Sequence, residues 1–90
     1  MLGMAQINTQ RLIDIGRNAL YFEDYVVAIQ YFNQVIKAKP HLTEPYLYRA
    51  YAKLSLEDYR GAIEDCNLAL DINPFLPKVY YCRGYAYRQI

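Results

Sequence analysis

Tryptophan is missing from this chain of 90 residues, histidine occurs once and cysteine twice. Two cysteines, Cys66 and Cys82, are too few and too far apart for a disulfide framework or a zinc site built on CxxC pairs. They read as small buried hydrophobes, and a bridge between them becomes the sharper expectation only in an exported protein. His41 follows Pro40 and has no cysteine or serine at a recognisable spacing, so it reads as a solvated loop residue. A metal site made of His41, Cys66 and Cys82 is disfavoured for the same reason. Charge of one sign is lacking too: ten basic residues face nine acidic ones, for a net charge of +1. No long-range field is available to draw in nucleic acid or an acidic membrane surface. No apolar run approaches the roughly 18 to 20 residues of a membrane span, so the chain reads as soluble with no membrane partner. "MLGMAQ" at the start lacks the basic region and apolar run of a complete signal peptide. The compartment is therefore unknown; the cytoplasm is favoured, and a periplasmic or exported location requires a longer precursor that carries a signal.

What is present is apolar and repetitive. The composition, 54% hydrophobic and 21% charged, argues against disorder. "FEDYVVAIQYFN" from Phe22 to Asn33 returns as "LEDYRGAIEDCN" from Leu56 to Asn67, a spacing of 34 residues. Further matches in the same register are Thr9 with Thr43, Leu20 with Leu54 and Pro40 with Pro74. A third copy opens where Tyr46, Arg49, Tyr51 and Ala52 recur as Tyr80, Arg83, Tyr85 and Ala86. A fixed period of this size marks a stack of supersecondary units.

The local chemistry is helical. Asp24 and Asp58 are good N-caps, each followed by apolar residues three or four apart: Tyr25, Ala28, Ile29, Phe32, Val35 and Ile36, then Tyr59, Ala62, Ile63, Cys66, Ala69 and Leu70. Pro40 and Pro74 close these runs. The preceding segments, "PYLYRAYAKL" and "KVYYCRGYAY", are tyrosine-rich and partly alternating, which taken alone suggests strands. Thr43 as an N-cap ahead of Pro45, Pro77 at a helix start, and a first segment with Leu12, Ile15, Gly16 and Ala19 on one face favour helices instead.

Small Gly16, Ala50 and Gly84 in the first helices, Ala28 and Ala62 in the second, and a closing Pro40 or Pro74 together resemble the tetratricopeptide repeat. The resemblance covers Thr9 to Ile90. It implies an all-α fold, a right-handed superhelical array of antiparallel helix pairs (an α-solenoid) with about five helices. The whole chain, 1–90, reads as one domain: repeat one at 9–42, repeat two at 43–76, and the first helix of an incomplete third at 77–90. Three departures stand out. The bulky aromatic of the first helix is Leu12, Tyr46 and Tyr80, never tryptophan. Glu23 and Glu57 take the place where glycine is usual, so the turn must avoid a left-handed residue or strain one. Arg49 replaces Ile15 where Asp65 replaces Tyr31, and this joint arrival of opposite charges predicts a structural ion pair across two helices.

The resemblance also implies that first helices line a concave groove. Helical spacing assigns Arg17, Leu47, Tyr51, Leu54, Lys78, Tyr81, Tyr85 and Arg88 to it, with Tyr48 near its edge. Tyrosine and arginine are favoured at interfaces, so the partner expected is a protein or peptide segment held by a binding scaffold. One subset of the family grips a peptide's terminal carboxylate with a clamp of lysine, asparagine and arginine. Its places here hold Ile13, Arg17, Tyr48, Lys78 and Cys82, and only Lys78 agrees, which speaks against tail recognition of that kind. No catalytic residue or cofactor is expected; Asp58, Glu64 and Asp65 read as cap and surface carboxylates. Nucleic-acid binding through Lys78, Arg83 and Arg88 between tyrosines is a weak third choice. The alternative to a scaffold is a self-associating segment of a longer array. In that reading the last helix, apolar on too many sides, is covered by further repeats or by a second copy in a homodimer.

Overall fold

A computed structural model describes residues 8–90; the opening "MLGMA" and its signal-peptide reading lie outside them. Among these residues there are five α-helices and no strands: α1 (Thr9–Tyr21), α2 (Tyr25–Ala38), α3 (Glu44–Ser55), α4 (Tyr59–Ile72) and α5 (Pro77–Gln89). The tyrosine-rich segments are thus helical, their alternation overridden by packing between helices. Each helix packs on the next in sequence, while α1 touches α3 and α3 touches α5. The result is a slab of 49 × 28 × 17 Å.

Within a pair, close approach depends on small residues. Gly16 of α1 lies against the ring of Phe32 in α2, so near that a Cβ there would come within 2.7 Å of ring carbons. Ala28, Phe32, Ala50, Ala62, Cys66 and Ala69 have no or almost no exposed surface. In α1 the buried residues are Thr9, Ile13, Gly16 and Ala19, whereas Leu12 and Ile15 are half-buried. The inward stripe is rotated toward Ile13 from the face expected. Cys66 and Cys82 are free thiols in the core shared by α3, α4 and α5.

The turn between paired helices resolves the glutamate question in favour of strain. Glu23 and Glu57 have φ of 62° and 64°, in the left-handed region. Both close a helix by the paired bonds of a Schellman motif. Asp24 N–H donates to the Ala19 carbonyl (2.8 Å) and Glu23 N–H to that of Leu20 (3.0 Å), and the same bonds recur at Asp58 and Glu57. These bonds require the left-handed residue, which is why glycine suits the place. Glu57→Gly is therefore expected to stabilise the chain by about 0.5–1 kcal/mol, and Glu23→Gly by a similar amount, as a rise in the urea midpoint.

Two expected caps are placed but not bonded. Asp58 accepts a hydrogen bond from the Gly61 N–H at 3.0 Å, but Asp24 makes no such bond. The Asp58 carboxylate fills the space that a Cβ at Gly61 would occupy. The first copy has Val27 at the position of Gly61. Thr43 also lacks a side-chain cap bond, because its backbone is already helical and Pro45 at the second helical position has no N–H to offer.

Candidate partner-binding groove

The first helices α1, α3 and α5 contact one another in turn, and α3 is the centre of that row. Its helical spacing brings Tyr48 and Tyr51 to the same side. Tyr48 is held by a stack on Phe32 (centroids 5.5 Å apart, planes at 27°) and by the Arg17 guanidinium 5.5 Å from its ring centre. Its hydroxyl donates to Glu44 Oε2 at 3.4 Å. Burial first, then the Glu44 charge, raise the Tyr48 phenol above its ordinary pKa, and burial does the same for Tyr51. Both remain protonated donors at neutral pH.

Two hollows share these tyrosines. One, of about 350 Å³, is bounded by Arg17, Leu20, Tyr25, Tyr48, Tyr51 and the exposed Tyr21. The other, of about 630 Å³, is bounded by Glu44, Leu47, Tyr48, Tyr51, Leu76, Pro77 and Lys78. Of the residues assigned from sequence, Arg17, Leu47, Tyr48, Tyr51 and Lys78 meet here. Leu54, Tyr81, Tyr85 and Arg88 line neither hollow; Leu54 packs against the core, as Leu47 and Tyr51 also do, and Arg88 lies over the Tyr85 ring. Tyr48, placed at the edge by spacing alone, stands between the hollows and walls both. Glu44, Leu20, Tyr25, Leu76 and Pro77 were missed because they sit at helix ends, where chain direction rather than helical period decides what they face.

A polar junction ties α2, α3 and α4. Arg49 donates from Nε and a terminal nitrogen to the two Asp65 oxygens at 2.8 and 2.5 Å, and from its other nitrogen to Asn33 Oδ1 at 2.8 Å. Lys53 Nζ lies 3.0 Å from the same carboxylate. Asp65 is 1% exposed, so its position among surface carboxylates in the sequence reading is corrected to the interior. A buried carboxylate needs such partners. Neither sequence fact pointed to Asn33 or Lys53.

Among the described residues no group of histidine, cysteine and carboxylate side chains is arranged to hold a metal ion. Cys66 and Cys82 meet at the α4–α5 contact, where the hydrogen bond to Cys66 and burial push the Cys82 thiol up and keep it protonated. His41 is exposed in the α2–α3 link.

Solved structures with the same arrangement of helices decide the family of folds. The tetratricopeptide-repeat domain of Arabidopsis OM64 superposes with a TM-score of 0.88 at 26% identity, covering 90% of this chain and 67% of that one. The chain has the tetratricopeptide-repeat fold. The first such domain of Spaghetti (RPAP3), bound to the HSP90 peptide SRMEEVD, matches with a TM-score of 0.88 at 27% identity over 96% of this chain and 70% of that one. The TPR2AB domain of yeast Sti1, in complex with pHSP90, matches at 0.87 and 25% identity; 90% of this chain covers 31% of it. No protein-family model and no curated protein matches the sequence. With the tetratricopeptide-repeat fold, the row α1, α3, α5 is the row of first helices, and the hollows lie along it. No helix among the described residues is long and apolar enough to cross a membrane.

Proposed function

We propose that this chain is a protein-interaction scaffold that holds an extended peptide segment along the α1–α3–α5 row. The observation that carries the reading is the pair of adjoining hollows walled by Tyr48 and Tyr51. Large aromatic side chains with few rotatable bonds and a donor at the tip are suited to anchoring a peptide, because little conformational entropy is lost on binding. Arg17 beside one hollow favours an acidic side chain there, while the apolar wall of Leu47, Leu76 and Pro77 favours an aliphatic or aromatic one in the other. Sti1 and Spaghetti, whose structures are of chaperone-peptide complexes, support a peptide as the class of partner. This chain differs at the terminal-carboxylate clamp. Ile13 and Cys82 are 4% and 1% exposed and apolar, leaving Lys78 as the residue retained.

Peptides selected from a random library for binding to this chain test the reading by fluorescence anisotropy. Tyr51→Ala is expected to weaken them by about tenfold or more with helicity intact, while Tyr81→Ala, whose side chain lies outside both hollows, leaves affinity unchanged. Amidating the peptide's C-terminus is expected to change affinity little. Affinity that ignores Tyr51 moves the site off the groove. The second reading, a self-associating segment, is favoured by one feature: Tyr80 and Tyr87 on α5 are 45% and 53% exposed. A concentration-dependent dimer in light scattering supports that reading over the first.

A further inference from the structure

The smaller of the two hollows has its walls in α1, α2 and α3, one helix pair and the first helix of the next. Its cation is positioned from the core outward. Phe32, with no exposed surface, stacks on the Tyr48 ring at 5.5 Å, and the Arg17 guanidinium lies 5.5 Å from the centre of that ring. Arg17 is thus oriented while its N–H donors stay free. Arg49 lies over Tyr46 in a like manner but donates to Asp65 and Asn33, and Arg83 over Tyr80 donates to Asn67. Arg17 has no such partner among the described residues.

The hydroxyls divide in the same way. Tyr46 donates to the Pro40 carbonyl at 2.8 Å, Tyr80 to that of Pro74 at 2.7 Å, and Tyr48 to Glu44, which lines the other hollow. Tyr21, Tyr25 and Tyr51 line the smaller hollow, and their hydroxyls donate to no group among the described residues. No acidic residue lines it. One guanidinium and three phenols can therefore turn to an anion there without breaking a bond inside the chain.

Resting on the peptide-scaffold reading above, we infer that this hollow receives a phosphotyrosine side chain of the partner segment, its ring among the tyrosine rings and its phosphate on Arg17. Three alternatives fit less well. A lysine or methylated lysine suits tyrosine walls in general, but Arg17 already lies over Tyr48 and repels a second cation. A glutamate offers two oxygens and no ring, so it leaves much of a hollow of about 350 Å³ empty. A phosphoserine carries the right anion on a single carbon, which gives the aromatic walls nothing to pack on. Phosphotyrosine supplies both parts: three acceptor oxygens with a charge of about −1.5 to −2, and a ring for edge or offset contact with tyrosines.

The test uses the full chain and fluorescein-labelled peptides selected from a library with one fixed phosphotyrosine, titrated by anisotropy. The same peptides with tyrosine, glutamate or phosphoserine at that place are expected to bind about tenfold or more weakly. Arg17→Met is expected to abolish the preference, bringing the phosphotyrosine peptide down to the affinity of its tyrosine form. Tyr25→Phe, which keeps the ring and removes the hydroxyl, is expected to weaken the phosphotyrosine peptide by about threefold and to leave the tyrosine form unchanged. Circular dichroism of each variant checks that the helices still form. Phenyl phosphate is expected to displace the peptide at concentrations where inorganic phosphate does not; equal displacement means an adventitious ion only and overturns the inference. Equal affinity for the phosphotyrosine peptide and any of its three replacements overturns it too, as does a preference that survives Arg17→Met. If the preference fails while unmodified library peptides still lose affinity in Tyr51→Ala, the scaffold reading stands and only the phosphotyrosine is lost. If neither library yields a binder, both fall.

Discussion

Arg49→Met is expected to destabilise the chain by about 3 kcal/mol or more, read as a drop in the urea midpoint, because it strands a carboxylate that is 1% exposed. Asp65 then keeps Lys53 at 3.0 Å but loses two charge-assisted hydrogen bonds. Stability for a domain of this size is on the order of 5–13 kcal/mol, so this one change removes a large share. The first copy shows the apolar alternative at the same place, Ile15 with Tyr31. Arg49→Ile combined with Asp65→Tyr is accordingly expected to recover most of the loss, since a buried ion pair is often replaceable by well-packed apolar groups. A double variant as unstable as the two single losses added together would show that the pair is not coupled in folding.

Phe32→Ala is expected to cost about 3–5 kcal/mol, the range for emptying a fully buried aromatic site. Its ring fills the space left by Gly16 and carries the Tyr48 ring on its other side. The same change therefore loosens a wall of both hollows, and affinity for groove peptides should fall even in conditions where the variant is folded. Gly16→Ala probes the contact from the opposite helix. The added methyl would press on a rigid ring at 2.7–2.8 Å, and a loss of about 1–3 kcal/mol is expected. Gly84→Ala is the control. Its Cβ meets only the flexible Arg88 end at ordinary contact distance, so alanine's better helix propensity should leave stability unchanged or raise it by up to about 1 kcal/mol. Calorimetric midpoints of the two glycine variants moving in the same downward direction would contradict this account of the helix contact.

Much of the fold was legible in the spacing. Helices α2 and α4 begin at Tyr25 and Tyr59, one period apart, and both end before their prolines. Arg49 and Asp65 were legible as partners because both depart from the first copy at once, which independent surface changes have no reason to do. The lining of the two hollows was legible in part. Tyr48, Tyr51 and Arg17 follow from helical period, but Glu44, Leu76 and Pro77 enter through the paths of the links, to which no period applies. The caps show the opposite limit. Asp24 and Asp58 are the same residue in the same phrase, and only Asp58 bonds; the residue three further on is a valine in the first copy and a glycine in the second.

By itself the sequence determined that the chain is a stack of helix pairs, where those helices begin and end, and which positions must be small. These are properties of local chemistry and of a repeated interval, and each copy states them independently. Only the tertiary structure decided that Glu23 and Glu57 take left-handed backbone, that Asp65 is interior, and that Tyr80 is open where Tyr46 is closed. Tyr46 and Tyr80 are the same letter in the same register with the same hydrogen bond. What separates them is the helix laid over one and not over the other, and contact between distant segments is a physical relation that no single stretch of residues carries.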